Sequence, residues 1–190
     1  MELELIPIPI VVVVIIASAL AALTDIWRFK VYNVLTFPVL FSGLAYYAAN
    51  EGWSGLAVSA LGAAFGLAVF VVPYLMGGMG AGDVKFVAAL GAWLGIQSLA
   101  VVVFFGCMAT GLYALFLVYL TGGVRQLWFN LQLTIFRFAT VGRLLVVDDQ
   151  IERVQDWTKV PDRRRRLIPF SAMIAVGVIL TIALSYSSSK

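Results

Sequence analysis

The sequence of 190 residues predicts an all-α polytopic membrane protein with about six transmembrane helices plus a cytoplasmic amphipathic helix. Three observations predict it. Hydrophobic residues make up 62% of the chain and the mean hydropathy is +1.00, far above a water-soluble domain. The apolar residues fall in runs near the roughly 20 that one bilayer crossing needs. Counting six spans, at 6–24, 34–49, 54–76, 83–95, 97–120 and 167–186, places every Lys and Arg except Lys190 on one side. The whole reads as a single membrane-embedded domain over residues 1–190 with a cytoplasmic insertion at about 122–166.

The first span follows Met-Glu-Leu-Glu, with no basic flank and no clear small-residue cleavage site, so it is expected to be a retained helix and not a secretory signal. After it comes Asp25-Ile26-Trp27-Arg28-Phe29-Lys30-Val31-Tyr32-Asn33. Trp27 and Tyr32 at the headgroups and Arg28 and Lys30 on the cytoplasmic face would make a membrane-surface anchor. An acid adjoining hydrocarbon does not anchor, so Asp25 is left unexplained by that account. Spans two and three carry Pro38 and Pro73, which free backbone carbonyls and permit kinks. Gly55, Gly62 and Gly66 include the small-xxx-small spacing of close helix packing. Gly52-Trp53-Ser54-Gly55 imitates the serine loop of rhomboid-type proteases, but the chain has no His, which excludes Ser–His chemistry. With no His and one Cys, Cys–His catalysis and the usual zinc ligand sets go as well. No metal and no cofactor are expected.

Between the third and fourth spans lies Gly77-Gly78-Met79-Gly80-Ala81-Gly82-Asp83-Val84-Lys85. An ionised Asp near hydrocarbon costs several kcal/mol unless solvated or paired, which makes Asp83 a functional candidate. The glycines fit a backbone that turns tightly, reaches positive φ or lets another chain lie close. The apolar run 86–120 is too long for one helix and barely enough for two, so a turn near Gly95-Ile96-Gln97-Ser98 leaves a short fourth span, with Asp83 at or below the membrane surface. Lys85, two residues on, points elsewhere on a helix and reads as a surface contact. Cys107 reads as a small apolar filler.

In the insertion, Val124, Leu127, Trp128, Leu131, Ile135, Phe138 and Leu145 recur at three- and four-residue steps, with Arg125, Arg137 and Arg143 elsewhere. This predicts a basic amphipathic helix on the anionic inner leaflet. Arg163–Arg166 then form a basic stop before the last span. The basic side is cytoplasmic and the N-terminus external, so the pI near 9.2 reflects membrane topology and not nucleic-acid binding.

That topology brings Asp25, which closes the first span, and Asp83, which opens the fourth, to the same side and depth. Two carboxylates at close range cannot both ionise cheaply, so one keeps a proton and the other stays charged. The charged member deprotonates a water that attacks a peptide carbonyl, and the protonated member polarises that carbonyl.

At these residues the sequence resembles the type IV prepilin peptidases and their archaeal preflagellin relatives, GxGD-type membrane aspartic proteases, and is most similar to the short peptidases of tight-adherence pili. Gly78-Met79-Gly80-Ala81-Gly82-Asp83-Val84-Lys85 matches the second catalytic motif, continuing through Ala88–Gly95. Asp25, Arg28, Lys30, Val31 and Asn33 fit the first motif, with Tyr32 where that family usually has proline and Arg28 shifted by one position. Ile168-Pro169-Phe170 is a weaker third match. The resemblance implies Asp25 and Asp83 as the catalytic dyad, with Gly80, Gly82, Lys85, Arg28 and Asn33 as substrate or loop support. It implies a pilin-like precursor as partner, with a short basic leader cut before an apolar helix that stays in the lipid bilayer. The large cysteine-bearing cytoplasmic insertion of the bifunctional members is missing, so peptidase activity without methyltransferase activity is expected. Two other readings compete. Presenilin-type proteases also use GxGD but place their first Asp within a span. A proton- or cation-coupled transporter could use the same carboxylates, but would show repeats and broken helices in matching halves.

Overall fold

The computed structural model describes residues 6–28, 31–75, 79–121 and 170–187, and the elements among them are helices: α1 (Ile8–Arg28), α2 (Asn33–Leu75), α3 (Ala81–Thr121) and α4 (Phe170–Ser187). The predicted amphipathic helix, the insertion at 122–166 and the Arg163–Arg166 run lie outside the described residues. The chain divides into two compact units, Met1–Leu112 with Pro169–Lys190, and Tyr113–Ile168. Of the second, only the end of α3 is described, and everything below concerns the first.

All four helices are long and apolar enough to cross a membrane. At 43 and 41 residues, α2 and α3 are about twice the length that one crossing needs. Each is interrupted at a glycine in the left-handed region, Gly52 (φ 65°) and Gly95 (φ 68°), a conformation that costs other residues but not glycine. The chain folds back at both. A Cβ on Gly55 would sit 2.5 Å from the Tyr47 carbonyl oxygen, although residues eight apart in a straight helix are about 12 Å apart. Likewise, a Cβ on Gly91 would lie 2.9 Å from Leu99 Cδ2. The second interruption falls where the sequence predicts a turn.

The buried residues of α1, namely Ile10, Val14, Ala17, Ser18, Ala21 and Asp25, recur at helical spacing and form one stripe. The stripe ends on Asp25, which the sequence placed just after the span; the helix runs one turn further, through Arg28. α4 presents Ser171, Ile174, Val178, Thr181 and Ser185 as its own stripe and lies antiparallel to α1, since Ser171 bonds to Asp25 and Tyr186 Oη donates to the Ile6 carbonyl at 3.4 Å.

Residues 86–95 of α3 are buried without a break, the pattern of a helix apolar all round and enclosed by others. Glycine makes the enclosure tight. A Cβ on Gly62 would collide with the Gly91 carbonyl, and one on Gly66 would lie 2.8 Å from the Val87 oxygen. Gly177 of α4 meets the Val102 carbonyl in the same way. At the far end of this segment, Ser59 Oγ donates to the Ala92 carbonyl at 2.7 Å and Tyr47 Oη to the Trp93 carbonyl at 3.2 Å. Trp93 Nε1 donates to the Val39 carbonyl at 2.8 Å. The Ser59 and Tyr47 bonds occupy carbonyls in the last turn before Gly95, which the interruption there removes from the helical ladder. α2 continues through both Pro38 and Pro73. Cys107 is exposed on the surface of α3 and fills no gap in the core.

Gly62→Val should lower the unfolding midpoint of the purified protein by several degrees, an overpacking cost of about 1–3 kcal/mol. Gly111→Ala, where an added Cβ meets nothing within 4 Å, should leave it unchanged. Fluorescence-detected thermal unfolding in detergent reads both.

Candidate active site at the start of the third helix

Three short segments converge on the N-terminus of α3: the end of α1, the residues leading into α2, and the start of α4. α3 begins on Gly80, whose carbonyl accepts the amides of Asp83 at 3.1 Å and Val84 at 3.4 Å. Asp83 therefore sits in the first turn of the helix, where the helix dipole favours a negative charge. Gly80 has no positive φ; its lack of a side chain matters because a Cβ there would crowd Asp83 Oδ2 at 3.2 Å. Gly82 has a different reason. A Cβ on it would meet the Val31 carbonyl oxygen at 2.5 Å, so the glycine lets the segment before α2 lie directly on α3.

That segment is fixed at both ends. Tyr32 begins α2, its carbonyl accepting the amides of Leu35 at 3.0 Å and Thr36 at 3.2 Å. Its hydroxyl accepts Arg28 Nη1 at 3.4 Å, and Arg28 in the last turn of α1 also suits the negative end of that helix. From α3, Lys85 Nζ donates to Asn33 Oδ1 at 3.1 Å and lies 5.3 Å from the centre of the Phe37 ring, a cation–π arrangement. Sequence spacing separated Lys85 from Asp83 on the helix but gave no sign of this bridge across 52 positions. Residues 31–33, 80–83 and 85 together line an open cleft of about 480 Å³, with Asp83, Lys85, Tyr32 and Asn33 among its walls.

Asp25 occupies the other side. It is only 6% exposed, and its Oδ2 accepts two hydrogen bonds from one residue of α4, the Ser171 amide at 3.0 Å and the Ser171 hydroxyl at 2.8 Å. Phe170 packs edge-on against Phe70 of α2, ring centres 5.2 Å apart, which holds the start of α4 in place. Asp83 is half-buried and lies within range of the Asp25 charge. The two acids thus sit in unlike settings, Asp25 sealed between helices and Asp83 on the cleft. Among the described residues no three His, Cys, Asp or Glu side chains gather as metal ligands would. Ser171 went unnoticed in the sequence; the only pointer to it was its position next to Ile168-Pro169-Phe170.

A profile of the type IV leader peptidase family matches residues 12–115. The chain belongs to that family. Curated proteins similar to it are named prepilin leader peptidase/N-methyltransferase. The one from Neisseria gonorrhoeae is 33% identical over 130 residues, 65% of this chain and 43% of the relative. The one from Aeromonas salmonicida (strain A449) is 36% identical over 110 residues, 53% of this chain and 38% of the relative. The one from Aeromonas hydrophila is 40% identical over 92 residues, 44% of this chain and 31% of the relative. The chain thus spans less than half the length of each of these. No solved structure matches. The family match takes in Asp25, Asp83 and the cleft between residues 31–33 and 80–85, and stops before the insertion.

The Lys85–Asn33 bridge should contribute about 0.6 kcal/mol, typical of polar contacts between membrane helices. A double-mutant cycle of Lys85→Met and Asn33→Ala, read by reversible unfolding in mixed detergent, should return a coupling of that size.

Proposed function

We propose that this protein is a membrane aspartic endopeptidase that removes the short basic leader from type IV pilin-like precursors, with Asp25 and Asp83 activating water. The observation that carries the reading is the pairing, in a member of the leader peptidase family, of a buried acid on α1 with a second acid, on an open cleft, that lies within range of its charge. One carboxylate takes a proton from water as the oxygen attacks the scissile carbonyl. The other, protonated, donates to the carbonyl oxygen, and the departing amine then collects a proton from the dyad. Confining two carboxyls at short range keeps one protonated while the other is ionised, which gives both partners at the same moment.

The six-crossing topology belongs to this reading. The fold-backs at Gly52 and Gly95 support it by dividing α2 and α3 into four arms, so that with α1 and α4 the chain makes six passes. The N-terminus is then external and the cleft opens at the cytoplasmic face of the cell membrane, on the side of Arg28 and Lys85. The substrate's apolar helix remains in the lipid, while its leader enters the cleft as an extended peptide. Gly80 and Gly82 keep the floor of that cleft free of side chains, and Arg28, Asn33 and Lys85 hold its wall. Methyl transfer, the second activity in the relatives' names, is not assigned to this chain. Its single Cys is Cys107, midway along α3, and no cofactor or metal is required by the dyad.

The test is cleavage of a tagged pilin precursor by purified protein. Asp25→Asn and Asp83→Asn are close in shape to the wild type but cannot ionise, and each should lower the rate by roughly 10²–10⁴-fold, the worth of a general acid or base, with unfolding midpoints unchanged. Near-normal cutting by either variant would rule out the dyad and direct attention to ion flux through the same carboxylates. Gly82→Ala, which pushes the Val31 backbone away from α3, should reduce cleavage about tenfold or more, since small displacements of a positioned group are costly in rate.

A further inference from the structure

Ser171 is the one buried hydroxyl among the described residues whose hydrogen bond reaches a carboxylate; Ser59 also leaves its own helix, but for the Ala92 backbone carbonyl. Thr110 and Thr181 each return their hydroxyl to the carbonyl four residues back in their own helix, Gly106 and Gly177, at 2.8 Å, the usual way a membrane helix disposes of such a group. Ser171 has no exposure at all, and its hydroxyl leaves α4 for α1, 2.8 Å from Asp25 Oδ2 and 3.1 Å from the Ala21 carbonyl. A hydroxyl has a single proton to donate, and the shorter contact, to a carboxylate, is the stronger acceptor. The Ser171 amide, in the first turn of α4, donates to the same oxygen at 3.0 Å. Both bonds thus fall on Oδ2. Oδ1 is left as the oxygen able to take up or release a proton.

We propose that Ser171 is a positioning residue for the peptidase reaction, pinning Asp25 Oδ2 through its amide and hydroxyl so that proton exchange with water or substrate takes place at Oδ1. The inference rests on the aspartic dyad reading given above. In either role in the dyad, base or acid, Asp25 passes through both protonation states in each turnover. Two donors on one oxygen hold the carboxyl plane fixed while the other oxygen changes state, and the burial of the seam keeps water from competing for Oδ2. One donor is part of the α4 backbone and survives any substitution except proline. The other exists only because residue 171 carries a hydroxyl.

Steady-state cleavage of the tagged precursor by wild type, Ser171→Ala, Ser171→Thr and Asp25→Asn, measured side by side, tests this. Ser171→Ala keeps the amide bond and should lower kcat by roughly ten- to a hundredfold, with KM unchanged, because the hydroxyl touches Asp25 and not the peptide. Ser171→Thr restores the donor and should recover most of kcat. An infrared difference spectrum supplies a readout independent of turnover: the Asp25 carboxylate band, identified by its loss in Asp25→Asn, should shift in Ser171→Ala. A kcat within twofold of wild type in Ser171→Ala, a loss expressed in KM, no recovery in Ser171→Thr, or an unshifted band would each overturn the assignment while leaving the dyad standing. If Asp25→Asn itself cleaves normally, the dyad fails and Ser171 with it.

Discussion

The structure depends on how closely three helical arms can approach the first arm of α3. Residues 81–94 make a helix of about 20 Å at 1.5 Å per residue, short of the roughly 30 Å hydrocarbon thickness, so its ends have to be served by neighbours. Gly62 lets the second arm of α2 rest on the Gly91 carbonyl, and Gly66 does the same one turn away at Val87 and Ala88. Without those contacts the helices would stand apart by the width of a methyl group or more. The side chains of Ser59 and Tyr47 could not then reach the Ala92 and Trp93 carbonyls. Buried carbonyls without partners are costly, and the close packing places the donors that satisfy them.

The position of Asp83 follows from that seating. An acid in the first turn of an enclosed helix stays at the rim of the apolar core, half-buried, with its helix dipole behind it. Asp25 reaches the same region from another direction, as the last residue of the buried stripe on α1, and a serine at the start of α4 meets it there. Gly82 links the two. By admitting the Val31 backbone against α3, it carries the chain leaving α1 across the foot of the third helix, so that the cleft has Asp83 on one wall and Asn33 on the other.

Much of this arrangement was legible in the sequence. Asp25 and Asp83 stood out because charge beside long apolar runs is rare and costly, and a count of spans put them on one side. The short segment after Asp83 and the turn at Gly95 followed from length alone, since the run 86–120 could not be one helix. The glycine spacing of 62 and 66 announced a close helix contact, though not that α3 would be the partner. Partners distant in sequence were not legible. Ser171 and Asp25 are 146 positions apart, and Lys85 and Asn33 are 52 apart; no periodicity records such a pair, and a serine in a membrane helix ordinarily bonds to its own backbone. The reach of α1 past Asp25 to Arg28 escaped notice because polar residues after an apolar run look like the end of a helix, whereas here the final turn remains helical and its Arg28 bonds to Tyr32.

The unlike surroundings of the two acids carry the last step. Two identical carboxylates in identical settings would share a proton evenly and leave acid and base roles undefined. Here Asp25 is largely buried and held at one oxygen by donors that belong to the protein, so its geometry is fixed before a substrate arrives. Asp83 faces the cleft over glycines, and its surroundings are completed by whatever peptide or water lies there. In the proposed reaction, binding therefore alters the environment of one member much more than the other. A substrate that excludes water from the cleft would strengthen the interaction between the two carboxyls as it docks, sharpening the split between the protonated and the ionised member that the reaction needs.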